Sequence, residues 1–328
     1  MTVLWTFLAE ILTVYLSEIS GSMRSLRSLW LIKFQMSLAR LHLAETLKRI
    51  SQLFTSDFGL RARPEGPSDL VRVRAKAFTL IELLVVVGII GILAGLILLP
   101  ATRARALADR TACLSNFKQF AVALQLYAGD HGDHLPPNLD GQDVPLGKTW
   151  VEGWLGLPGP DCTNTLYLQR SLVGSYLGDP KVWQCPAADP VTVRDVTQPR
   201  VRTLSLNCFV GSPVKSPAAT TYLRLGEITQ PSPAWAMTFI EERADTINDG
   251  SFAMQWPFKQ DQPGGWELRD KPATLHGGSG NLAFADGHAE THRWRDSRTL
   301  KAPRNDVTMP GNQDVLWMQQ HATWREPR

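Results

Sequence analysis

The 22 residues from Phe78 to Leu99, FTLIELLVVVGIIGILAGLILL, carry a single charged side chain, that of Glu82. At about 1.5 Å per residue a helix of this length just crosses a hydrocarbon core of roughly 30 Å. A helix buried in a soluble core normally keeps a polar stripe over such a distance, and this one has none. One membrane span is expected, which excludes a polytopic transporter. With 44% apolar and 20% charged residues over 328 positions, the chain has enough apolar material for a core, so wholesale disorder and collagen are excluded too.

Charge divides at the same place. Residues 1–77 hold 11 Lys and Arg against 6 Asp and Glu, whereas the remainder holds 23 against 25. The basic character belongs to the N-terminal segment, and the bulk of the chain offers no nucleic-acid footprint. Cys113, Cys162, Cys185 and Cys208 all lie beyond residue 77, an even set without CxxC spacing. They suit an oxidising compartment, and Cys185 in VWQCP is expected to bond another cysteine of the exported part; the sequence does not choose which.

The flanks of the span are informative. Val71 to Ala77, VRVRAKA, is a short basic flank ending in a small residue, like the cytoplasmic side of a translocation signal. Arg103, Arg105 and Arg110 follow the span, so positive charge alone does not orient it. Upstream, Met1 to Leu16 is apolar but interrupted by Glu10 and too short to span, and Ser25 to Ile50 resembles a basic amphipathic helix. Two readings of residues 1–77 stay open: a leader containing a surface-lying helix, or an extension ahead of a non-AUG start near Val71 or Val73. No Met lies between Met36 and Met237.

After the span, Leu107, Leu114, Phe117, Ala121, Leu124 and Ala128 recur at helical spacing until Gly129 and Gly132. Pro100 is expected to kink this helix without ending it. Phe78 to Ala128 then forms one helix of about 76 Å, with a membrane half over 78–100 and an exported half over 101–130. Residues 131–328 form the globular part. Within it Leu166 to Leu177 reads as helix, and Arg202 to Phe209, Ala234 to Glu241, Asn281 to Ala285 and His288 to Trp294 read as strands. Asp286-Gly287 joins the last two as a hairpin turn. The stretches 137–161 and 244–275 read as long loops, and no internal repeat is present.

The segment KAFTLIELLVVVGIIGILAG resembles the class III signal of type IV pilins and of type II secretion pseudopilins, the G type among them. The likeness rests on a basic leader, a small residue, Phe, Thr-Leu-Ile and then a carboxylate inside an apolar span. It implies cleavage between Ala77 and Phe78 by a prepilin peptidase and methylation of the new Phe78 amine; the family norm at Ala77 is Gly. A carboxylate such as Glu82 costs about 2.5 to 3.5 kcal/mol at the centre of a span. In a filament it can neutralise the Phe78 amine of a neighbouring subunit. The alternative for Glu82 is a carboxylate reaching to the headgroups.

Three later blocks, TACLSNFKQFAVALQLYAGDHGDHLPPN, VGSYLGDPKVWQCPAAD and LHGGSGNLAFADGHAETHRW, resemble the large pseudopilin-like proteins of planctomycetes and verrucomicrobia. Their C-terminal signature, a His, nine residues and Asp-Gly, falls on His276, Asp286 and Gly287. His276, Asp286, His288 and His292 are close in sequence, but converging metal ligands are not visible, so no metal or cofactor is expected. The expected roles are structural: Asp286-Gly287 makes a turn and His276 hydrogen-bonds to loop backbone. Ser279 lacks nucleophile-elbow spacing, and no catalytic residues are assigned. Nine Trp residues from position 150 onward are expected mostly in the core.

The expectation is an α+β, pilin-like chain, a long transmembrane helix packed on a mostly antiparallel sheet, anchored in the cytoplasmic membrane with its C-terminal domain exported. The resemblance implies a non-enzymatic pseudopilin whose partners are copies of itself, other pseudopilins, prepilin peptidase, and an inner-membrane assembly platform with its ATPase. The alternatives are an anchored extracytoplasmic binding module for a ligand such as polysaccharide, and a metal-dependent hydrolase centred on His276 and Asp286.

Overall fold

The structure, a computed structural model, describes residues 80–324 apart from 140, 142–143, 145–146, 157, 215–218 and 255–261. Helix α1, Leu80–Asp130, is one uninterrupted element of 51 residues, about 76 Å long, and Pro100 lies within it. It ends where Gly132 and Asp133 take positive φ of 61° and 72°. There the Asp133 amide donates to the Ala128 carbonyl at 2.7 Å and satisfies a helix end that would otherwise lack a partner.

The packed part of α1 begins at Cys113. Cys113, Phe117, Phe120, Ala121, Leu124, Tyr127 and Ala128 are buried at the spacing of one helical face. The expected stripe is nearly right, with two corrections. Leu107 is 63% exposed, and Leu114 is only half-buried, since the facing sheet takes Cys113 instead.

Nine short strands follow among the described residues: β1 Val191–Val193, β2 Val196–Gln198, β3 Leu204–Asn207, β4 Met237–Glu241, β5 Ser251–Phe252, β6 Glu267–Leu268, β7 Ser279–Phe284, β8 Ala289–Arg293 and β9 Val307–Thr308. The central sheet has the order β5-β3-β4-β7-β8, antiparallel except where β5 pairs with β3. Every position of β3, β4 and β7 is buried, because both faces of the sheet are covered. Phe120, Leu124, Leu206, Phe239 and Ala283 belong to the core beneath α1. On the opposite face Met237, Ile240, Leu282, Phe284 and Trp294 meet Val315, Met318 and Ala322 of the C-terminal helix.

That helix was not expected. Two short helices, α2 Leu166–Arg170 and α3 Ser297–Leu300, precede it, and as α4 it spans Gln313–Ala322. Asn312 caps it, its side chain accepting from the Asp314 and Val315 amides at 2.9 and 3.2 Å. The helix expected over Leu166 to Leu177 breaks after Arg170, where the Ser171 hydroxyl donates to the Trp150 carbonyl at 2.6 Å. The 244–275 stretch holds β5 and β6 within its loops. The whole is α+β with a mostly antiparallel sheet, an arrangement compatible with a pilin-like domain.

Candidate functional site

Two regions carry residues singled out by the sequence. The first is the start of α1. Ala77 and Phe78 lie outside the described residues, and at Leu80, Glu82, Leu83 and 92–102 only the backbone is described. Ile81, Leu84, Val85, Val86, Val87, Ile89 and Ile90 are all exposed, from 46% to 68%. Four of these are consecutive, so with about 100° between residues the apolar surface runs right round the helix. Across the residues whose side chains are described, no helix is long and apolar enough to cross a membrane.

The second region lies where α1 first meets the sheet. Four segments remote in sequence converge there: Cys113 from α1, Cys185 from the turn after Pro180–Trp183, Glu241 from the end of β4, and His276 from the loop entering β7. Cys113, Cys185 and Glu241 are 1%, 4% and 0% exposed, and the His276 side chain 1%. The Cys113 thiol donates to Glu241 Oε1 at 3.3 Å. His276 Nε2 lies 3.4 Å from both Cys185 Sγ and Glu241 Oε2. All four ligand-type atoms fall within 4.8 Å of one another.

The surroundings hold this group in place. The Asn281 amide and side chain donate to Glu241 Oε2 at 3.0 and 3.4 Å, and Thr291 Oγ1 in turn donates to Asn281 Oδ1 at 2.6 Å. The Cys185 amide donates to Thr203 Oγ1. Its hydrogen bond with Cys185, its burial and the Glu241 carboxylate all push the Cys113 thiol up. The same bond draws the Cys185 thiol down against its burial, helped by His276. Burial alone would lower His276, but its contacts with Cys185 and Glu241 prevail and raise the ring to about 10. Two sulfurs, a carboxylate and an imidazole thus face one another in a sealed, strongly polarised space.

This corrects the expected role of His276. Its backbone amide does bond the loop, donating to Ser279 O at 3.2 Å, but its ring faces Cys185 and Glu241. Cys113 and Cys185 come together as thiols, while Cys162 packs beneath α1 and Cys208 lies against the opposite core. Sequence reasoning passed over Glu241. Its only signal is an ionisable residue ending an apolar strand, MTFIE.

Asp286 and Gly287 form the turn between β7 and β8, and Gly287 has φ +94°. A side chain there would also meet the Gln125 amide at 2.9 Å, so the turn presses on α1, where Gln125 Nε2 donates to Ala285 O. Asp286 Oδ1 accepts from the His288 amide at 3.0 Å and sits 2.5 Å from its Nδ1. Burial opposes ionisation of Asp286, yet these bonds from His288 hold it below the ordinary carboxylate range. His292 lies elsewhere, stacked on Trp317. The nine residues between His276 and Asp-Gly therefore carry β7, with the buried cluster at one end and the docked turn at the other. Trp150, Trp183, Trp266 and Trp294 are buried, whereas Trp235 is 60% exposed and stacks on His321.

Residues 72–98 match the prokaryotic N-terminal methylation motif. No curated protein and no solved structure matches the chain. The chain therefore carries a prepilin-like signal, spanning Ala77, Phe78 and Glu82, ahead of an α+β domain built on the same helix.

Proposed function

We propose that this chain is a pilin-like structural subunit, a pseudopilin of a type II secretion or type IV pilus-like filament, cut before Phe78 by a prepilin peptidase and methylated there. One observation carries the reading. The methylation motif at 72–98 runs into a single helix that exposes apolar side chains all round between Ile81 and Ile90 and packs on a sheet from Cys113. In this reading the first half lies in the cytoplasmic membrane before assembly and among neighbouring helices afterwards, with the domain exported. Its partners are copies of itself, other pseudopilins, the peptidase, and the assembly platform with its ATPase.

A second reading, an anchored binding module that uses the same route to the surface, is supported by the exposed Trp235 ring beside His321. Chemical crosslinking separates the two, since a subunit forms multimers through α1 and an isolated anchor stays monomeric. Processing is tested by intact mass and N-terminal peptide mapping of the membrane-bound product. N-methyl-Phe78 with nothing upstream is the expected result; peptides from Met1 to Arg63 in that product count against it.

A further inference from the structure

We infer that Cys113, Cys185, Glu241 and His276 are the ligands of one tetrahedrally bound zinc ion, which clamps α1 to the sheet where the helix enters the domain. The inference stands on the geometry of these four side chains and does not rest on the filament reading.

Spacing at His276 and Glu241 favours a metal site over a plain hydrogen-bonded cluster. An N–H···O bond between imidazole and carboxylate closes to about 2.7 to 3.2 Å, whereas His276 Nε2 stands 3.4 Å from Glu241 Oε2. Zinc bonds of about 2.3 Å to sulfur and about 2.0 to 2.2 Å to nitrogen and oxygen make tetrahedral edges of about 3.3 to 3.8 Å. The observed separations are 3.3 Å from Cys113 Sγ to Glu241 Oε1, 3.4 Å from Cys185 Sγ to His276 Nε2, and 3.4 Å from His276 Nε2 to Glu241 Oε2, with the two Glu241 oxygens facing different partners. With one ligand atom taken from each residue, all four lie within 4.8 Å of one another, so closing on an ion needs movements of up to about 1 Å. The four side chains are thus close enough for one ion to draw them onto a common centre, and His276 and Glu241 stand further apart than a direct hydrogen bond between them would place them.

Donor chemistry narrows the ion. Two thiolates exclude calcium and magnesium, which take oxygen ligands, and the mixed sulfur, nitrogen and oxygen set at tetrahedral spacing fits zinc. With both sulfurs and the carboxylate ionised and the imidazole neutral, the ligands carry three negative charges against two on the ion. The excess is partly offset by the Asn281 amide and side chain that already donate to Glu241. Such outer partners fix a ligand's orientation and raise affinity. Binding releases the two thiol protons, and any proton on the ring, to solvent, with no change of oxidation state.

The clamp has a mechanical sense. Cys113 is the first buried residue of α1 among those whose side chains are described, so the ion ties this point of the helix to β4 and to the loop before β7.

The test uses the full-length chain purified in detergent under reducing conditions. Elemental analysis should give one zinc per chain, and Co2+ in its place should show thiolate-to-cobalt charge-transfer absorption with the strong visible bands of a tetrahedral ion. Cys113→Ser and Cys185→Ser should abolish the charge-transfer pattern of the two-thiolate site. Asn281→Ala should keep the spectrum and weaken zinc about 10- to 100-fold, as loss of an outer partner does. Glu241→Gln, close in shape, should shift the cobalt bands and serves as the variant if the serine forms do not fold. Zinc far below one per chain after loading with excess Zn2+ overturns the proposal. So does a Cys113–Cys185 disulfide in protein whose thiols were trapped before lysis, or an unaltered cobalt spectrum in Cys185→Ser.

Discussion

His292 and His321 hold the Trp317 indole between them, with ring centroids 3.8 and 3.9 Å from it. A protonated ring on an indole face gains about 0.5 to 2 kcal/mol of cation–π attraction. Burial outweighs that gain: it brings His292 down to about 4, helped by His321 and Arg295 and opposed by Asp314. Burial likewise lowers His321, although its Nδ1 donates to the Trp317 carbonyl at 2.7 Å. Because both rings are folded in the neutral form, the unfolded chain binds more protons below its own value near 6.5. Stability from this stack is therefore complete above about pH 6.5 and is lost as the pH falls towards 4, by roughly 1 to 2 kcal/mol for His292 after allowing for its partial exposure. Melting temperature measured across that range should drop in the parent chain and drop less in His292→Phe, and equal slopes would count against the assignment. Little of this was legible in the sequence, where His292 stood out only for its closeness to His276. Stacking on Trp317 depends on a helix that returns to the sheet from far along the chain.

At the scale of elements, the parts read correctly were those whose signal is local. The Asp286-Gly287 turn fixes the β7–β8 pair, because the positive φ of Gly287 is the conformation such a turn needs. The long helix followed from unbroken apolarity and a recurring stripe. What the stripe could not supply was its exact rotation, since Cys113 and Leu114 are both apolar enough to head the buried face and only the sheet chooses between them. Helix α4 escaped notice because its three core residues are scattered among Gln, Asp and His. The buried cluster escaped because its members come from four separate elements, so no spacing along the chain brings them together. Packing within α1 is testable directly. Phe120 is fully buried, 4.9 Å from the Trp183 ring and 5.2 Å from Phe239, so Phe120→Ala should cost about 3 to 5 kcal/mol in chemical denaturation. Leu126, on the same helix but 51% exposed, should tolerate Ala within about 0.5 kcal/mol, and comparable losses at both sites would refute the observed face.

For the molecule as a whole, the open question is what surrounds the first half of α1, and Glu82 is where that question meets physical cost. The residue lies near the start of the helix, within the methylation motif and within the apolar run. A helix N-terminus favours a carboxylate by about 0.3 to 1 kcal/mol, which gives Glu82 a local reason to exist. In the proposed filament, neutralising the methylated amine of a neighbouring Phe78 would give it a second reason, one that exists only between subunits. Glu82→Gln separates them. An amide costs less in lipid than a charge, so insertion should be unchanged or improved, and cleavage before Phe78 should survive because the cut lies outside the span. If the role is local, crosslinked multimers in membranes should match the parent. If it lies between subunits, the incoming chain loses the electrostatic attraction that sets its register, and its neighbour's amine stays unpaired in a low-dielectric setting. The expected outcome is a several-fold loss of crosslinked multimers from a fully processed Gln variant. Unchanged multimer yield would remove Glu82 from assembly and shift preference to an anchored binding module presenting Trp235 to its ligand.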